Sequence, residues 1–114
     1  MRYISFALTT EQIRSKQKTV TRRLGWKTLK PGTLLQPIVK GQGIPKGCTV
    51  EKIGGPIRVI SVSRAPLNTI SPQDVYREGF PQITVREFVA MFKKTHSGCQ
   101  VATVVTRIQF EYVT

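Results

Sequence analysis

The segment Val104–Tyr112 constrains the fold more than any other part of the sequence, because it has the pattern of a long β-strand. One set of side chains alternates with a second set along it, the first being Val104, Thr106, Ile108, Phe110 and Tyr112. Strict alternation is typical of a strand, since successive side chains point to opposite faces of a sheet. The segment is therefore predicted to be the clearest strand of the fold.

Shorter strands are predicted at residues 3–8, 34–39, 49–53 and 57–64, separated by turns that are rich in Gly and Pro. Residues 40–56 contain most of these turns. Helices are predicted over residues 10–17 and 72–78 and from Thr84 to Gly98, each after a capping residue: Thr9 with Gln12, Ser71, and Thr84 with Glu87. After the first helix, the β-branched residues 19–21 favour extended chain.

These elements follow one another in the order β-α-β-β-β-α-α-β. Because strands and helices do not alternate singly, the order argues against a parallel sheet. It favours an α+β fold, namely a small β-barrel with inserted short helices. The length of 114 residues, without any linker, predicts a single domain over residues 1–114.

The chain is strongly basic, and its charge is unevenly distributed. Eighteen Lys and Arg oppose six Asp and Glu, which gives a net charge of +12. No acidic residue lies between Glu11 and Glu51, where the basic residues are Arg14, Lys16, Lys18, Arg22, Arg23, Lys27, Lys30, Lys40 and Lys46. A one-sided positive field attracts polyanions. We therefore expect RNA or a nucleic-acid component as the partner, with Arg14, Lys16 and Lys27 among the contacts.

Other classes of function are disfavoured. Cys48 and Cys99 are too few for a disulfide framework and, without an export signal, are expected to be reduced thiols in the cytoplasm. His96 is the only histidine and is expected on the surface at a helix end, which leaves no zinc site. We expect no cofactor, and no stretch reaches the roughly 18 apolar residues of a membrane span. A monomer agrees with the sequence, which defines no oligomeric state.

Lys18 and Thr21 are the pair most suited to chemistry. They are close enough in sequence for the amine to reach the hydroxyl. A lysine can activate a hydroxyl nucleophile when its pKa is lowered by burial or by cations such as Arg22 and Arg23. Glu78, one of the few acids, is the candidate to orient the lysine or to shuttle the proton. The alternative is that the three basic residues contact phosphate and that Thr21 is an ordinary strand residue.

Aromatic residues offer a second kind of contact. Trp26 and Tyr76 are candidates for stacking on a base, which contributes about 1 to 3 kcal/mol per base, and Phe80, beside Glu78, is a candidate to flank a pocket. The alternative for Trp26 is a plug of the barrel, and Phe80 also suits packing after the second helix.

The chain resembles the ASCH domain, a member of the PUA-like β-barrel superfamily. Four segments carry this resemblance over nearly the whole chain: Lys18-Thr19-Val20-Thr21-Arg22-Arg23, Leu29-Lys30-Pro31-Gly32-Thr33, Arg77-Glu78-Gly79-Phe80 with the helix Thr84-x-x-Glu87-Phe88, and Arg107-Ile108-Gln109-Phe110. The resemblance implies a PUA-like barrel with a cleft for nucleic acid or a nucleoside.

A small bacterial branch of this family hydrolyses the acetyl amide of N4-acetylcytidine with a lysine, a threonine and a glutamate. The resemblance assigns these roles to Lys18, to Thr21 as nucleophile and to Glu78, with Arg23 as a substrate or phosphate contact. Other members bind RNA or act on single-stranded RNA. A non-catalytic RNA-binding module and a ribonuclease are therefore the alternatives.

Three departures from the amidohydrolase branch affect the expected ligand. Arg22 stands where that branch has an apolar residue, and Thr33 replaces an aspartate. The glycine-rich loop 41–56 is also longer. These departures favour a polymeric or more anionic ligand over a free nucleoside.

Overall fold

A computed structural model describes residues 1–40 and 50–113 of the chain. Its strands are β1 (Arg2–Ser5), β2 (Val20–Arg23), β3 (Leu34–Ile38), β4 (Ile57–Pro66) and β5 (Val104–Tyr112). Its helices are α1 (Thr10–Arg14), α2 (Pro72–Arg77) and α3 (Val85–Thr95), and a 3₁₀ turn at Leu67–Thr69 connects β4 to α2. The fold is mixed α+β, as the sequence predicted.

The five strands form one sheet in the order β1-β3-β4-β5-β2. β1 runs parallel to β3, and the other neighbouring pairs are antiparallel. Across residues 1–40 and 50–113, β1 and β2 are the edges of an open sheet. Closure of this sheet into a barrel therefore stays a prediction.

The elements follow one another along the chain in the predicted order β-α-β-β-β-α-α-β. One of the three middle strands, however, is a different segment from the one predicted. Residues 20–23, predicted only as extended chain, form β2 and pair with β5, with Thr21 opposite Ile108. The strand predicted at 49–53 is reduced, in the part described, to a bridge between Lys52 and Ile38. Thr49, the first residue of that prediction, lies outside the described residues, together with Cys48 and most of the glycine-rich loop.

A β-bulge in β4 decides which of its apolar residues enter the core. Val59 lies opposite Phe110 and Ser61 lies opposite Gln109, so Ile60 is the extra residue of the bulge. An extra residue shifts the alternation of a strand. Val59 and Val62 therefore both contact the apolar core although they are three residues apart, whereas Ile60 between them is 44% exposed.

Apolar side chains pack in two clusters. The first is formed largely by the sheet and includes Phe6 and Phe110. The second is formed by α2, α3 and the chain around them, and it includes Phe88, Phe92 and the buried free thiol Cys99. Phe6 from the first cluster and Phe88 and Phe92 from the second line a common cleft, so the cleft lies where the clusters meet.

The caps of α2 and α3 have the predicted bonds. Asp74 N donates to Ser71 Oγ at 3.1 Å, and Thr84 and Glu87 form both bonds of a capping box. The local sequence signal is sufficient at these positions because each cap is formed by residues three apart.

The prediction for α1 was wrong in length and in its cap. The helix ends at Arg14, and within the described residues Thr9 makes no side-chain bond that caps it. Gln12 Nε2 instead donates to Gly79 O at 3.3 Å. A contact across the fold therefore replaces the local bond predicted for Gln12.

We expect unfolding experiments to distinguish two isoleucines of β4. Ile57 is 0% exposed, so Ile57→Ala should lower the free energy of unfolding by about 2–5 kcal/mol, as large-to-small core substitutions do. Ile60→Ala is the matched control on the bulge and should lower it by less than about 1 kcal/mol. Urea denaturation measures both values, and equal losses would contradict the inward placement of Ile57 and the outward placement of Ile60.

Candidate functional site

The residues that precede β2 lie against the end of α2. Thr19 N donates to Arg77 O at 2.8 Å, and Phe110 N donates to Thr19 O at 3.0 Å. The segment is thus bonded on one side to α2 and on the other to β5. This arrangement brings Lys18 next to Glu78, although 60 positions separate them in sequence.

Lys18 and Glu78 form a buried ion pair. Lys18 Nζ donates to Glu78 Oε1 at 3.0 Å and to Glu78 O at 2.7 Å, and each residue is 3% exposed. Burial lowers the pKa of Lys18, and the charges of Arg23 and Arg22 lower it further, whereas Glu78 raises it. The amine therefore gives up its proton more readily than an exposed lysine would.

Gly79 permits the close approach that places this pair. Its φ is +102°, a conformation that favours glycine. A Cβ at this position would lie 2.8 Å from Gln12 Cγ. Glycine is therefore the residue that lets α1 pack directly on the turn after Glu78.

Thr21 and Arg23 lie two residues apart on β2 and contact each other. Arg23 Nε donates to Thr21 Oγ1 at 3.1 Å, and Arg23 Nη2 donates to Ser5 O at 2.6 Å. The guanidinium also lies 4.8 Å above the centre of the Phe6 ring. Burial lowers the pKa of Arg23 to about 10, so the group remains a cation at neutral pH. Its bonded partners here are neutral, unlike those of Lys18.

These side chains line one cleft of about 220 Å³. Its polar part contains the three predicted catalytic residues, Lys18, Thr21 and Glu78, together with Arg22 and Arg23. Its other parts are supplied by residues 5–9, by Phe80 and by one face of α3: Phe88, Met91, Phe92, Thr95 and His96. The structure therefore brings the predicted catalytic residues together. It adds a wall, formed by residues 5–9 and by the face of α3 with His96, that the sequence had not assigned to a site.

His96 is the clearest residue of that wall that was missed. The sequence placed it on the surface, but its ring is half-buried and stacks on Phe92 with centroids 3.8 Å apart. Nδ1 lies 2.9 Å from Phe92 O. The helical spacing of residues 88, 92 and 96 was the available signal, since residues four apart share a helix face.

Arg22 is held between two carboxylates. Its Nη1 donates to Glu78 Oε2 at 3.1 Å and its Nη2 donates to Asp74 Oδ2 at 2.8 Å, and its side chain is 8% exposed. Asp74 also accepts bonds from Arg107 and Arg77. The sequence did not identify Asp74, although its position four residues before Glu78 on α2 was a usable signal.

The other predicted contacts lie apart from the cleft. Arg14, Lys16 and Lys27 are exposed, and Arg14 pairs with Glu11. Trp26 is half-buried against the first apolar cluster, with Arg2 4.0 Å above its ring. None of these is among the residues that line the cleft in the described part of the chain.

Phe80, also predicted as a contact, does line the cleft, with Lys18 Nζ 5.9 Å from its ring centre.

Residues 1–40 and 50–113 contain no group of three or more His, Cys, Asp or Glu side chains placed to hold a metal ion. Among the helices described, none has the length and apolar character needed to span a membrane.

Comparison with solved structures identifies the fold. An ASCH domain from Lactobacillus crispatus has a TM-score of 0.67 at 14% identity, over 96% of this chain and 79% of that one. A DUF984 protein from Enterococcus faecalis also scores 0.67, at 19% identity, over 93% and 67% of the two chains. An ASCH protein from Zymomonas mobilis scores 0.64 at 13% identity, over 96% and 66%.

The chain therefore has the fold of ASCH domain proteins, which supports the sequence resemblance to the ASCH domain at the level of the fold, without a closed barrel in the part of the chain that is described. The likeness resides in the fold, because the identities lie below 20%. No protein-family model and no curated protein matches the chain.

We expect Asp74 to make stability depend on pH in acid. Hydrogen bonds from Arg107, followed by those of Arg22 and Arg77, hold the pKa of Asp74 well below its usual range. Its stabilising contribution is therefore complete above the unfolded pKa, about 3.9. It is lost as the pH falls from there toward the native pKa.

Arg107→Gln should make this loss of stability shallower, because the native pKa of Asp74 then lies nearer its ordinary value. The measurement is urea denaturation at several pH values between 2 and 7, where the protein remains folded without urea. Arg58→Gln, which breaks the exposed pair with Glu111, is the control and should keep the wild-type slope. The same slope in Arg107→Gln would show that Asp74 is not responsible.

Proposed function

We propose that the chain is an ASCH-family hydrolase that binds a modified cytidine, free or within RNA, and cleaves an amide such as that of N4-acetylcytidine. The observation that carries this proposal is the arrangement of the cleft, where Thr21 lines the same cavity as the buried pair of Lys18 and Glu78. A hydroxyl, an amine with a lowered pKa and a carboxylate are the groups that acyl transfer through a threonine requires.

The dimensions of the cleft support a small ligand. Its volume of about 220 Å³ lies below the roughly 300 Å³ at which pockets for drug-sized molecules begin. Aromatic and apolar side chains of Phe80 and α3 form part of its lining, which suits the flat face of a base. The cleft therefore favours one nucleobase with its acyl group over several nucleotides.

The reacting form is the one in which Lys18 has released its ammonium proton to solvent, which its lowered pKa favours. In the first step, Thr21 Oγ1 attacks the acetyl carbon and forms a C–O bond, while its proton moves to the amine of Lys18. The tetrahedral intermediate then collapses, and the bond from carbon to N4 breaks. N4 takes the proton from Lys18, so cytidine leaves and the acetyl group remains as an ester on Thr21. Among the described residues no hydrogen bond joins Lys18 Nζ to Thr21 Oγ1, so the transfer requires that the side chains move or that water relays the proton.

In the second step, water attacks the ester carbon and gives its proton to Lys18. The C–O bond to Thr21 breaks, acetate leaves, and the proton returns to Oγ1. Glu78 keeps the amine in place throughout. Arg23 donates to Thr21 Oγ1, so its positive charge stabilises the negative charge that develops on this oxygen.

Purified protein incubated with N4-acetylcytidine should release cytidine and acetate, which chromatography detects. Thr21→Ala should lower kcat/KM by at least about a thousandfold, because the nucleophile is lost. Thr21→Ser is the matched control and should retain part of the activity, since it keeps the hydroxyl. If wild type and Thr21→Ala are equally inactive, the hydrolase proposal is wrong.

The charge of the chain supports a second candidate, an RNA-binding module without chemistry. The net charge is +12, and no acid lies between Glu11 and Glu51. Lys16 and Lys27 of this segment are exposed and lie outside the cleft lining. A nucleoside in the cleft would not use these side chains, whereas a polymer passing over the surface would.

Binding to single-stranded RNA should then weaken steeply with salt, with a slope of log K against log salt that changes by about 0.7 for each phosphate contact. Lys16→Gln and Lys27→Gln should each flatten the slope by about that amount, whereas Lys94→Gln, on α3, should not. Fluorescence anisotropy at several salt concentrations measures the slopes. Undetectable binding at low salt would exclude this candidate, and RNA cleavage that Lys18→Ala abolishes would indicate a ribonuclease instead.

A further inference from the structure

Asp74 lies on α2 outside the residues that line the cleft, yet both of its oxygens are fully engaged. Oδ2 accepts from Arg107 Nε at 2.6 Å and from Arg22 Nη2 at 2.8 Å. Oδ1 accepts from Arg77 Nη1 at 3.0 Å and from Arg107 Nη2 at 3.1 Å. One buried carboxylate thus receives four N–H groups from three arginines.

The register of the sheet explains why a carboxylate is required at this place. Arg22 of β2 and Arg107 of β5 are directly opposite each other. Like charges at opposed positions of neighbouring strands destabilise a sheet. Asp74 accepts a hydrogen bond from each of the two guanidinium groups and so offsets their repulsion.

Arg22 connects Asp74 to the cleft. Asp74 and Glu78 lie four residues apart, and Glu78 N donates to Asp74 O at 2.8 Å in the last turn of α2. Arg22 spans the two side chains, with Nη2 on Asp74 and Nη1 on Glu78 Oε2. Since Arg22 occupies Oε2, Lys18 is bonded to the other oxygen, Oε1.

We propose that Asp74 is a positioning residue of this site: it fixes Arg22, which holds Glu78 so that Oε1 faces Lys18. Its role in turnover rests on the hydrolase function proposed above, whereas its effect on the pair of Lys18 and Glu78 does not. Asp74 itself touches neither the cleft nor a ligand within it.

Loss of the Asp74 charge should change the state of Lys18 in one direction. In Asp74→Asn, Arg22 loses the carboxylate of Asp74 and keeps only that of Glu78. Its stronger interaction with Glu78 weakens the hydrogen bond that Lys18 donates to Glu78. A weaker bond to the carboxylate disfavours the ammonium form. The titration midpoint of Lys18 should therefore fall by about half a pH unit or more.

The midpoint is measured by NMR on the side-chain carbon next to the amine, with protein labelled in lysine. The Lys18 signal is assigned by its absence from Lys18→Met. Glu111→Gln is the matched control, since it also removes one carboxylate from an arginine pair but at an exposed position. We expect the Lys18 midpoint in this control to equal that of wild type.

Turnover of N4-acetylcytidine provides the second readout. Asp74→Asn should lower kcat by roughly tenfold, because the misplacement of the Lys18 amine outweighs the larger fraction of neutral amine that the lowered midpoint gives. KM should change by less than about twofold, because Asp74 does not line the cleft. Inactive wild-type protein would overturn the hydrolase function, and the titration would then still decide whether Asp74 controls Lys18.

A second variant addresses the stability of Asp74→Asn, since an arginine pair without its carboxylate is strongly destabilising. Asp74→Asn combined with Arg107→Gln removes the opposed charge, so the protein should fold while Arg22 is bonded to Glu78 alone. This double variant should show the lowered midpoint and the lowered kcat. Wild-type values of both quantities in the folded double variant would overturn the positioning role.

Discussion

The ion pair between Lys18 and Glu78 is the interaction on which the rest of the site depends. Two charges at 3% exposure are unfavourable unless further hydrogen bonds compensate for the lost water. The compensation is visible here, because Lys18 Nζ bonds both to the carboxylate and to the backbone oxygen of Glu78. The same contacts join the segment before β2 to the end of α2, so the sheet edge, the helix and the cleft share one point of attachment.

Cations outnumber anions around this pair, and the excess shapes its chemistry. Glu78 is shared between Lys18 and Arg22, and Asp74 between three arginines. A shared carboxylate stabilises each ammonium or guanidinium less than an exclusive one would. The ammonium form of Lys18 is therefore less stable than in an ion pair with an unshared carboxylate. This agrees with the lowered pKa of Lys18, which burial primarily causes. Arg23, bonded to Thr21 Oγ1 and Ser5 O, can stabilise negative charge at the cleft.

Sequence reasoning succeeded where the deciding interaction is local. The caps at Ser71 and Thr84 depend on residues three apart, and the alternation of residues 104–112 directly reflects the pleat of β5. It failed where the partner is distant. Gln12 bonds to Gly79 rather than to its own helix end, and the bulge at Ile60 arises from the pairing of β4 with β5. The opposition of Arg22 and Arg107, which makes Asp74 necessary, requires knowledge of the strand register.

The candidate site was predictable from the sequence only in part. Lys18, Thr21 and Glu78 were identified by residue type, resemblance and scarcity of acids, but nothing local in the sequence specifies that residue 78 meets residue 18. That meeting follows from backbone bonds such as Thr19 N to Arg77 O, together with a glycine at 79 that lets α1 approach. The burial of Arg22 has a structural reason, because the arginine is bonded to Asp74 on α2 and to Glu78 one turn later. A buried arginine and its two carboxylates form a unit, and the substitution of one member is tolerable only with the others present.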